Sequence, residues 1–593
     1  MFEFKIPEVG ENIKTGTVVN LFVKVGDAIK KDQDLLELET DKASIPVPSP
    51  VDGVVKEILI KTGDDVKIGQ VIMKIDGAAI KETSAKASPA PKTEQKTEEK
   101  PKAQPAPSAS TATAPSPVPT DVNVADIKLA VLGGGPGGYA AAFLAADLGM
   151  QVTLIDKDVN PGGVCLFRGC IPSKALLHAA KVISEARHAK SLGIEYGTPK
   201  IDLDKLRAWK TSVVTQLTGG LGQLSKQRKI TYIQGTGTFV NSNTINVKKS
   251  DGKEEQLSFD KIILATGSRP IKLPFLPESK RVLDSTSALE IESIPKSLLL
   301  IGGGYIGLEL GTVYAELGSE VSVVEMMPQL MTGADRDLAT ILEKRLKVIF
   351  KDIMVSTKVV AAQETQTGIK ITFEDGSGKK TDKEFEKILV AVGRVPNSNG
   401  LGLENTKVVV NNKGFVEING QRQTHDPSIF AIGDVAGNPM LAHKASHEGR
   451  VAVEAIAGHK VAFEPNAIPA VVFTDPEIAW AGLTETEAKA QGRAVEVAKF
   501  PWGASGRAIT LDRVDGLTKL IIDPQTERIL GVSIVGPHAG EMIAEGVLAI
   551  EMGAVVEDLK LSIHPHPTLT ETLMEAAESF YGLSTHIYRP KKK

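Results

Sequence analysis

The chain of 593 residues switches between two hydrophobic rhythms. Near its start apolar and polar residues alternate, as in LLELE (Leu35 to Glu39) and VIMKI (Val71 to Ile75), and the pairs Gly26-Asp27 and Gly63-Asp64 punctuate the runs. A period of two with turn residues between predicts short strands buried on one face. Further on, beginning at KLAVL (Lys128 to Leu132), unbroken apolar runs lead into glycine clusters and then into stretches rich in small residues. The order strand, glycine turn, helix, strand predicts βαβ units. From about Gly77 to Thr120 neither rhythm holds: no aromatic residue is present, and eight of the chain's 33 prolines fall between Pro89 and Pro119. Such a stretch cannot bury enough apolar surface to fold and reads as a linker. Its coil reach is about 40 Å and its full extension about 140 Å, enough to swing a tethered arm between distant sites.

Both rhythms contain a repeat. In the first region residues recur at an offset of 37: Gly16 with Gly53, Lys24 with Lys61, Gly26 with Gly63, Asp27 with Asp64, Gln33 with Gln70. Two similar β halves predict a small two-sheet sandwich with pseudo-twofold symmetry. Between the halves lies ETDKAS (Glu39 to Ser44), a turn from which Lys42 would project into solvent within reach of a modifying enzyme. In the second region KLAVLGGGPGGYAAAFLAADLGMQVTLID and SLLLIGGGYIGLELGTVYAELGSEVSVVE align at an offset of 169. The alignment pairs Gly133 with Gly302, Gly135 with Gly304, Gly138 with Gly307 and Asp156 with Glu325. One GxGxxG is weak evidence, but two in register, each with strand, helix and terminal acid, predict two dinucleotide sites. The glycines admit a pyrophosphate to backbone amides and a helix N-terminus, and the acid accepts hydrogen bonds from ribose hydroxyls. Glu325 favours NAD over NADP, because a carboxylate repels a 2′-phosphate.

The chain's two cysteines, Cys165 and Cys170, stand just after the first glycine motif in GGVCLFRGCIPSK. Residues five apart on an ideal helix have Cα atoms about 8–9 Å from each other, too far for a disulfide, so at least Cys165 is expected outside regular helix. A helix is expected to begin over Ile171 to His178 with Pro172 in its first turn. Two buried thiols, a structural disulfide or a metal half-site are the plainer readings; no further cysteines exist to complete a thiolate site, and the neighbouring motifs favour redox chemistry. With 42% hydrophobic and 24% charged residues the composition is that of a soluble globular protein, and a net charge of -4 gives no case for binding nucleic acid or an anionic membrane. MFEFKIPEVGENI lacks the apolar core of a signal peptide, and no apolar run approaches the roughly 20 residues that span a bilayer, so a cytoplasmic enzyme with no membrane span is expected. The terminal Lys591 to Lys593 reads as a solvated tail.

On these motifs the chain from about Val124 to Pro590 resembles the flavin disulfide reductases, most closely their dihydrolipoamide dehydrogenase branch, and the N-terminal repeat resembles a lipoyl domain. The resemblance implies a lipoyl domain over 1–77, an Ala/Pro-rich linker over 78–122, an FAD-binding domain over 123–275, an NAD-binding domain over 276–398, a second FAD or central part over 399–465 and a dimerisation domain over 466–593. The implied fold is multidomain: an all-β lipoyl-type flattened barrel or sandwich, a flexible linker, then an α/β flavoprotein with two dinucleotide-binding domains and a C-terminal α+β dimerisation domain. Lys42 is the residue matching the lipoate attachment lysine. A biotin domain is the nearest rival, but Met73 and Lys74 align with the strand residues Leu36 and Glu37, so Lys74 reads as an outward strand charge.

By the same resemblance FAD occupies the first motif, through Gly133, Gly135, Gly138, Asp156, Lys174, Gly237, Thr266, Gly267, Asp434 and Ala442. NAD occupies the second, through Gly302, Gly304, Tyr305, Ile306, Gly307, Glu325, Val359 and Gly393. His566, in HPHPTLTETLMEA, matches the family's base, which reaches the thiol pair of the other subunit of a homodimer. Glu571 would orient that histidine and raise its basicity, although Thr568 to Glu571 also spells a helix capping box; His564 is assigned to structure. Lys174 would face the flavin, with Glu309 as its partner. The implied reaction passes electrons from dihydrolipoamide through Cys165, Cys170 and FAD to NAD, in a chain serving the acyltransferase and decarboxylase components of a 2-oxoacid dehydrogenase complex. Glutathione reductase, disfavoured by Glu325 and the lipoyl arm, and a non-catalytic lipoyl-bearing scaffold are the alternatives; mercuric reductase would need more cysteines. The sequence departs from the family at Asp156, where glutamate is commoner, and at Phe167 and Arg168, which often are Asn-Val.

Overall fold

A computed structural model of the chain describes residues 2–6, 15–30, 33–39, 44–67, 69–76 and 123–588. Lys42, the whole of the Pro-rich stretch and the terminal lysines lie outside the described residues. The chain divides into two compact units, Met1–Ala114 and Pro115–Lys593.

In the first unit the alternating segments form two four-stranded antiparallel sheets. One has the order Phe2–Lys5, Val71–Asp76, Gly53–Ile58, Ala28–Ile29; the other has the order Ser44–Pro48, Asp34–Glu39, Thr15–Leu21, Asp65–Lys67. Each half therefore lends its short middle strand to the other half's sheet. The offset of 37 recurs in the hydrogen bonds: the Phe22 amide donates to Leu35 O and the Leu59 amide to Ile72 O, both at 2.9 Å. It recurs again in the core, where Val18 and Val55, Leu35 and Ile72, and Leu36 and Met73 are all fully buried. Lys74, one position beyond Met73, points outward and pairs with Glu57 at 2.7 Å, as a strand residue of a half-buried sheet must.

In the second unit the unbroken apolar runs become parallel strands. A seven-stranded sheet has the order Glu254–Ser258, Thr244–Lys249, Thr231–Asn241, Gln151–Asp156, Lys128–Leu132, Lys261–Leu264, Ile429–Ala431; its last five strands are parallel, and the first three form an antiparallel extension. A second, five-stranded parallel sheet has the order Val282–Leu283, Lys387–Val390, Ser297–Ile301, Glu320–Val324, Asp352–Met354. The offset of 169 holds element by element: strand Lys128–Leu132 matches Ser297–Ile301, and helix Pro136–Asp147 matches Tyr305–Glu316. Burial on both faces, as at the neighbours Leu129 and Ala130 and again at Leu298 and Leu299, is what parallel strands covered by helices require. A third large sheet, antiparallel and five-stranded, runs from Ala470 to Gly536 and packs the helices Ala539–Glu551 and Glu571–Phe580 around Trp502, Phe500 and Leu573.

One local expectation is corrected. Cys165 is helical, in the short helix Gly163–Arg168, and Cys170 opens a separate helix, Cys170–His188, that starts one residue before Ile171 and runs past His178. The break between the two cysteines falls at Gly169, whose backbone (φ -148°, ψ -117°) is not helical and where a Cβ would come 2.8 Å from Val164 O.

Candidate active site

Two clefts open at the ends of the parallel strands, one per glycine motif. Gly133 and Gly302 take φ of +109° and +106°, so each chain turns from strand to helix in the left-handed region that glycine tolerates. A Cβ on Gly138 would lie 1.8 Å from Gly133 O, and one on Gly307 would lie 2.8 Å from Gly302 O; only glycine lets the helix start so close to the strand. Gly135 and Gly304 are different, because a Cβ there would meet no protein atom within 4 Å and would fill the cleft itself. Those open positions, at the N-termini of the helices Pro136–Asp147 and Tyr305–Glu316, are where a pyrophosphate fits.

The terminal acids are held in the same way in both clefts. Glu325 accepts hydrogen bonds from the Gly303 amide at 2.7 Å and the Met327 amide at 2.8 Å. Asp156 accepts from the Gly134 amide and from the Asp158 amide, the latter at 2.8 Å, residues that are the offset-169 equivalents of Gly303 and Met327. The missing methylene of Asp156 therefore changes no partner. Burial pushes its carboxyl up, with the two amides pulling the other way.

The first cleft is lined by Gly133, Gly135, Gly138, Asp156, Lys174, Thr266, Gly267, Asp434 and Ala442, together with both cysteines. Gly237 is not among its lining residues: it sits in the strand Thr231–Asn241, where a Cβ would press on Ile245 and Leu132. The second cleft is lined by Gly302, Gly304, Tyr305, Ile306, Glu325, Val359 and Gly393, and Gly307 lies behind its wall. Tyr305, Ile306 and Arg394 line both clefts and so form the partition between them. Burial, then Glu309, pushes the Tyr305 hydroxyl up to about 12, which keeps it a neutral donor. Three contacts here have no local signature in the sequence. Arg394 donates to Ser268 Oγ at 2.7 Å, Ser268 donates to Asp434, and Arg168 pairs with Asp158 beside the first cleft.

Cys165 and Cys170 are free thiols in contact, and their environments pull them apart. The hydrogen bond between them, followed by burial, pushes the Cys165 thiol well up. The same hydrogen bond, followed by the charge of Lys174, brings Cys170 down to about 7, against the opposing effects of burial and Glu309. Cys170 is thus the more acidic of the two thiols, at the first position of helix Cys170–His188 where the helix dipole favours an anion. Lys174 is itself anchored: its Nζ donates to Glu309 at 2.8 Å and lies 4.5 Å from the centre of the Phe473 ring, and the buried Glu309 also accepts from the Phe473 amide at 3.0 Å.

The two candidate histidines are committed differently. His564 Nδ1 meets Ser562 O at 2.8 Å and Nε2 meets Glu545 Oε1 at 2.7 Å. Both partners only accept, so both nitrogens carry protons, and Glu545 holds the imidazole above the ordinary histidine range. His566 uses one nitrogen: Nδ1 lies 2.8 Å from Glu571 Oε1, which places the proton on Nδ1 and leaves Nε2 free, on a side chain 73% exposed. Glu571 also accepts from the Thr568 amide at 2.7 Å; burial pushes its carboxyl up, but this amide and His566 outweigh it and hold it below the usual carboxylate range. The capping box read from Thr568 to Glu571 is only half formed. The helix starts at Glu571, and the Thr568 hydroxyl turns instead to Pro565 O and Thr570 Oγ1, at 2.7 and 2.9 Å. Neither histidine lines either of these two clefts, so within one chain the structure brings together the thiols and Lys174 but not His566.

Three family models match the chain: pyridine nucleotide-disulphide oxidoreductase over residues 127–449, the dimerisation domain of the same group over 468–577, and the biotin/lipoyl group, described as biotin-requiring enzyme, over 2–75. Among curated relatives, a dihydrolipoyl dehydrogenase of Vibrio cholerae is 50% identical over 467 residues, 79% of this chain and 98% of that protein. A dihydrolipoyl dehydrogenase of Haemophilus influenzae is 49% identical over 467 residues, 79% of this chain and 97% of that protein. One from Geobacillus stearothermophilus is 47% identical over 463 residues, 78% of this chain and 98% of that protein. Among solved structures, LpdA from Mycobacterium tuberculosis superposes with a TM-score of 0.71 at 27% identity, covering 77% of this chain and all of that one. The HOCl-induced flavoprotein disulfide reductase RclA from Escherichia coli, in its Cu(II) complex, superposes with a TM-score of 0.69 at 26% identity, covering 76% and 99%.

Proposed function

We propose a reaction path for this chain from the premise that it belongs to the pyridine nucleotide-disulphide oxidoreductases and, among them, to the dihydrolipoyl dehydrogenases. The protein is an oxidoreductase that oxidises dihydrolipoamide to lipoamide with FAD and NAD; its dimerisation domain makes it a homodimer, and its N-terminal domain is of the lipoate-bearing kind. When bound, FAD supplies the two-electron carrier between the thiols and NAD. The glycine turn, Asp156, Asp434 and Lys174 of the first cleft would hold it, and Gly302, Gly304 and Glu325 of the second would hold NAD.

Catalysis begins at the disulfide form of Cys165 and Cys170. One subunit's His566, its Nδ1 proton fixed on Glu571, takes a substrate thiol proton at Nε2. The thiolate so formed attacks Cys165 in the other subunit, the Cys165–Cys170 bond breaks, and Cys170 leaves as a thiolate stabilised by Lys174 and its helix N-terminus. The second substrate thiol, losing its proton, then attacks the substrate sulfur of the mixed disulfide. This closes the lipoamide ring and expels Cys165, which takes up one proton; the other passes to solvent. Two electrons have entered the pair, and it stands as Cys165 thiol beside Cys170 thiolate. The observation that carries the reading is the placing of both thiols and the Glu309-anchored Lys174 together in the lining of the first cleft, with Cys170 at the start of its helix.

Purified protein loaded with FAD is expected to reduce NAD with free dihydrolipoamide, and His566→Gln to abolish that turnover while leaving the flavin absorbance unchanged. Activity confined to NADP and glutathione, or near-normal turnover of H566Q, overturns the reading. Lys42 is the proposed lipoate attachment site, supported by its place between the two halves of the β repeat; an intact mass that does not rise with lipoate ligase on unmodified protein refutes it. The acyltransferase and decarboxylase of a 2-oxoacid dehydrogenase complex are the proposed partners, and the cytoplasm the proposed location. Among the described residues no helix is long and apolar enough to cross a membrane.

A further inference from the structure

Within its own chain His566 is a mostly exposed side chain on a turn, so that chain's packing does not fix the imidazole; something must hold the turn if Nε2 is to arrive in one place at the other subunit. The turn's buried side supplies a candidate. Trp502 Nε1 lies 3.0 Å from Thr518 Oγ1, Thr518 Oγ1 lies 2.7 Å from Thr572 Oγ1, and Thr572 Oγ1 lies 2.7 Å from Leu569 O. Trp502, Thr518 and Thr572 are all completely buried. The direction of this chain is forced. An indole N–H only donates and a carbonyl only accepts, so Thr518 receives from Trp502 and donates to Thr572, which donates to Leu569. Every hydroxyl then has one donor and one acceptor, and no proton can be reversed without leaving a buried group unpaired. The indole is clamped as well: a Cβ on Gly516 would come 2.3 Å from Trp502 Cδ2, and one on Gly536 would come 2.2 Å from its Cζ3. The last acceptor of the chain, Leu569 O, also takes the Thr572 amide at 3.1 Å and lies inside the turn between His566 and Glu571, next to Thr568, whose amide is bound to Glu571.

We propose that Thr572 and Thr518 are positioning residues for the base: they tie the turn carrying the His566–Glu571 pair to the clamped Trp502, and so fix where His566 Nε2 is presented. The inference rests on His566 being the base. It goes beyond that reading because it makes two completely buried hydroxyls, which line neither cleft, determinants of the lipoamide half-reaction alone.

The test uses the FAD-loaded holoenzyme with Thr572→Val, Thr572→Ser and Thr518→Val. T572V is expected to lower kcat for NAD reduction by dihydrolipoamide at least about tenfold, the equivalent of about 1.4 kcal/mol. NADH-driven reduction of ferricyanide, which needs no proton taken from a substrate thiol, and the flavin absorbance should remain near wild type. T572S, which restores the hydroxyl, should restore lipoamide turnover. T518V breaks the chain one link further from the turn and should give the same split between the two assays, so it stands in if T572V fails to fold. Wild-type lipoamide turnover in T572V, equal impairment of T572V and T572S, or parallel loss of both activities in T518V overturns the proposal. H566Q run alongside separates the two ideas: if it retains turnover the base reading has failed, whereas an inactive H566Q beside a fully active T572V refutes the positioning role alone.

Discussion

Replacing Lys174 with methionine tests the electrostatics of the thiol pair directly. The ammonium lies 2.8 Å from Glu309, and its charge helps bring Cys170 down to about 7. At pH 7 that makes about half of Cys170 thiolate. A nearby opposite charge typically moves a pKa by about 1–3 units, so its removal takes the thiolate fraction at pH 7 to between about 9% and about 0.1%. Losing Lys174 also leaves the buried Glu309 carboxylate uncompensated, and its charge already raises Cys170, so the two effects add. Glu309→Gln provides the opposite sign: Lys174 stays, the negative charge goes, and the Phe473 amide keeps an acceptor. Reduced holoenzyme alkylated by iodoacetamide from about pH 5 to about pH 10, with each cysteine followed by peptide mass, reports the two thiols separately. Wild type should show Cys170 reacting with a midpoint near 7 while Cys165 stays inert to much higher pH. K174M should move the Cys170 midpoint up by about one unit or more, and E309Q should move it down, with flavin absorbance confirming that the cofactor is retained. A K174M midpoint within about 0.3 unit of wild type, or an upward shift in E309Q, refutes the reasoning.

Further outcomes follow from single contacts. Lys519 is completely buried, 2.6 Å from Asp335 and 2.9 Å from Asp337, so Lys519→Met leaves the buried Asp335 carboxylate without its cation while the half-buried Asp337 keeps Lys499; it should cost about 3–5 kcal/mol in urea unfolding, and a loss below about 1 kcal/mol would contradict this. Gly304→Ala adds a methyl that meets no protein atom but enters the second cleft, so it should raise KM for NAD with the melting temperature kept; Gly307→Ala, crowding Gly302 O at 2.8 Å, should lower the melting temperature instead, and matching thermal losses in the two variants would refute the distinction. His564 is raised above its ordinary value by Glu545, so its stabilising effect is fully present below the unfolded pKa of about 6.5 and is lost as pH rises through the folded value. The stability difference between wild type and His564→Gln should therefore shrink as pH rises above about 6.5, and a difference that grows would show that the imidazole is not held as a cation.

Much of this site was legible because it is written as repeats. An offset of 169 fixes which amides face which acid, and the structure realises it down to the pairs Gly134 with Asp156 and Gly303 with Glu325. The offset of 37 likewise predicted that Lys74, aligned with Glu37, faces outward, and in the structure it pairs with Glu57 on the sheet surface. The helix containing Cys165 was misread because the spacing excludes one continuous helix through both cysteines and says nothing about two short ones broken at Gly169. The capping box was misread for a related reason. The Thr568 hydroxyl has other partners within reach, and in the folded turn it meets Pro565 O and Thr570 Oγ1 rather than accepting from the amide that the motif would cap.

What the sequence could not carry is charge and hydroxyl pairing over long separations. Lys519 and Asp335 stand 184 residues apart, and Thr518 and Thr572 stand 54 apart; nothing in a local window singles out either pair, because each depends on how a sheet and a helix meet. The two histidines sharpen the point. His564 and His566 occupy equivalent places in HPHP, and a motif can only name one of them. The structure supplies the reason: with a carbonyl and a carboxylate on its two nitrogens His564 has no lone pair to offer, whereas His566 spends one nitrogen on Glu571 and keeps the other. A base is thus defined less by being a histidine than by which of its atoms its neighbours leave unused, and those neighbours are set by the fold.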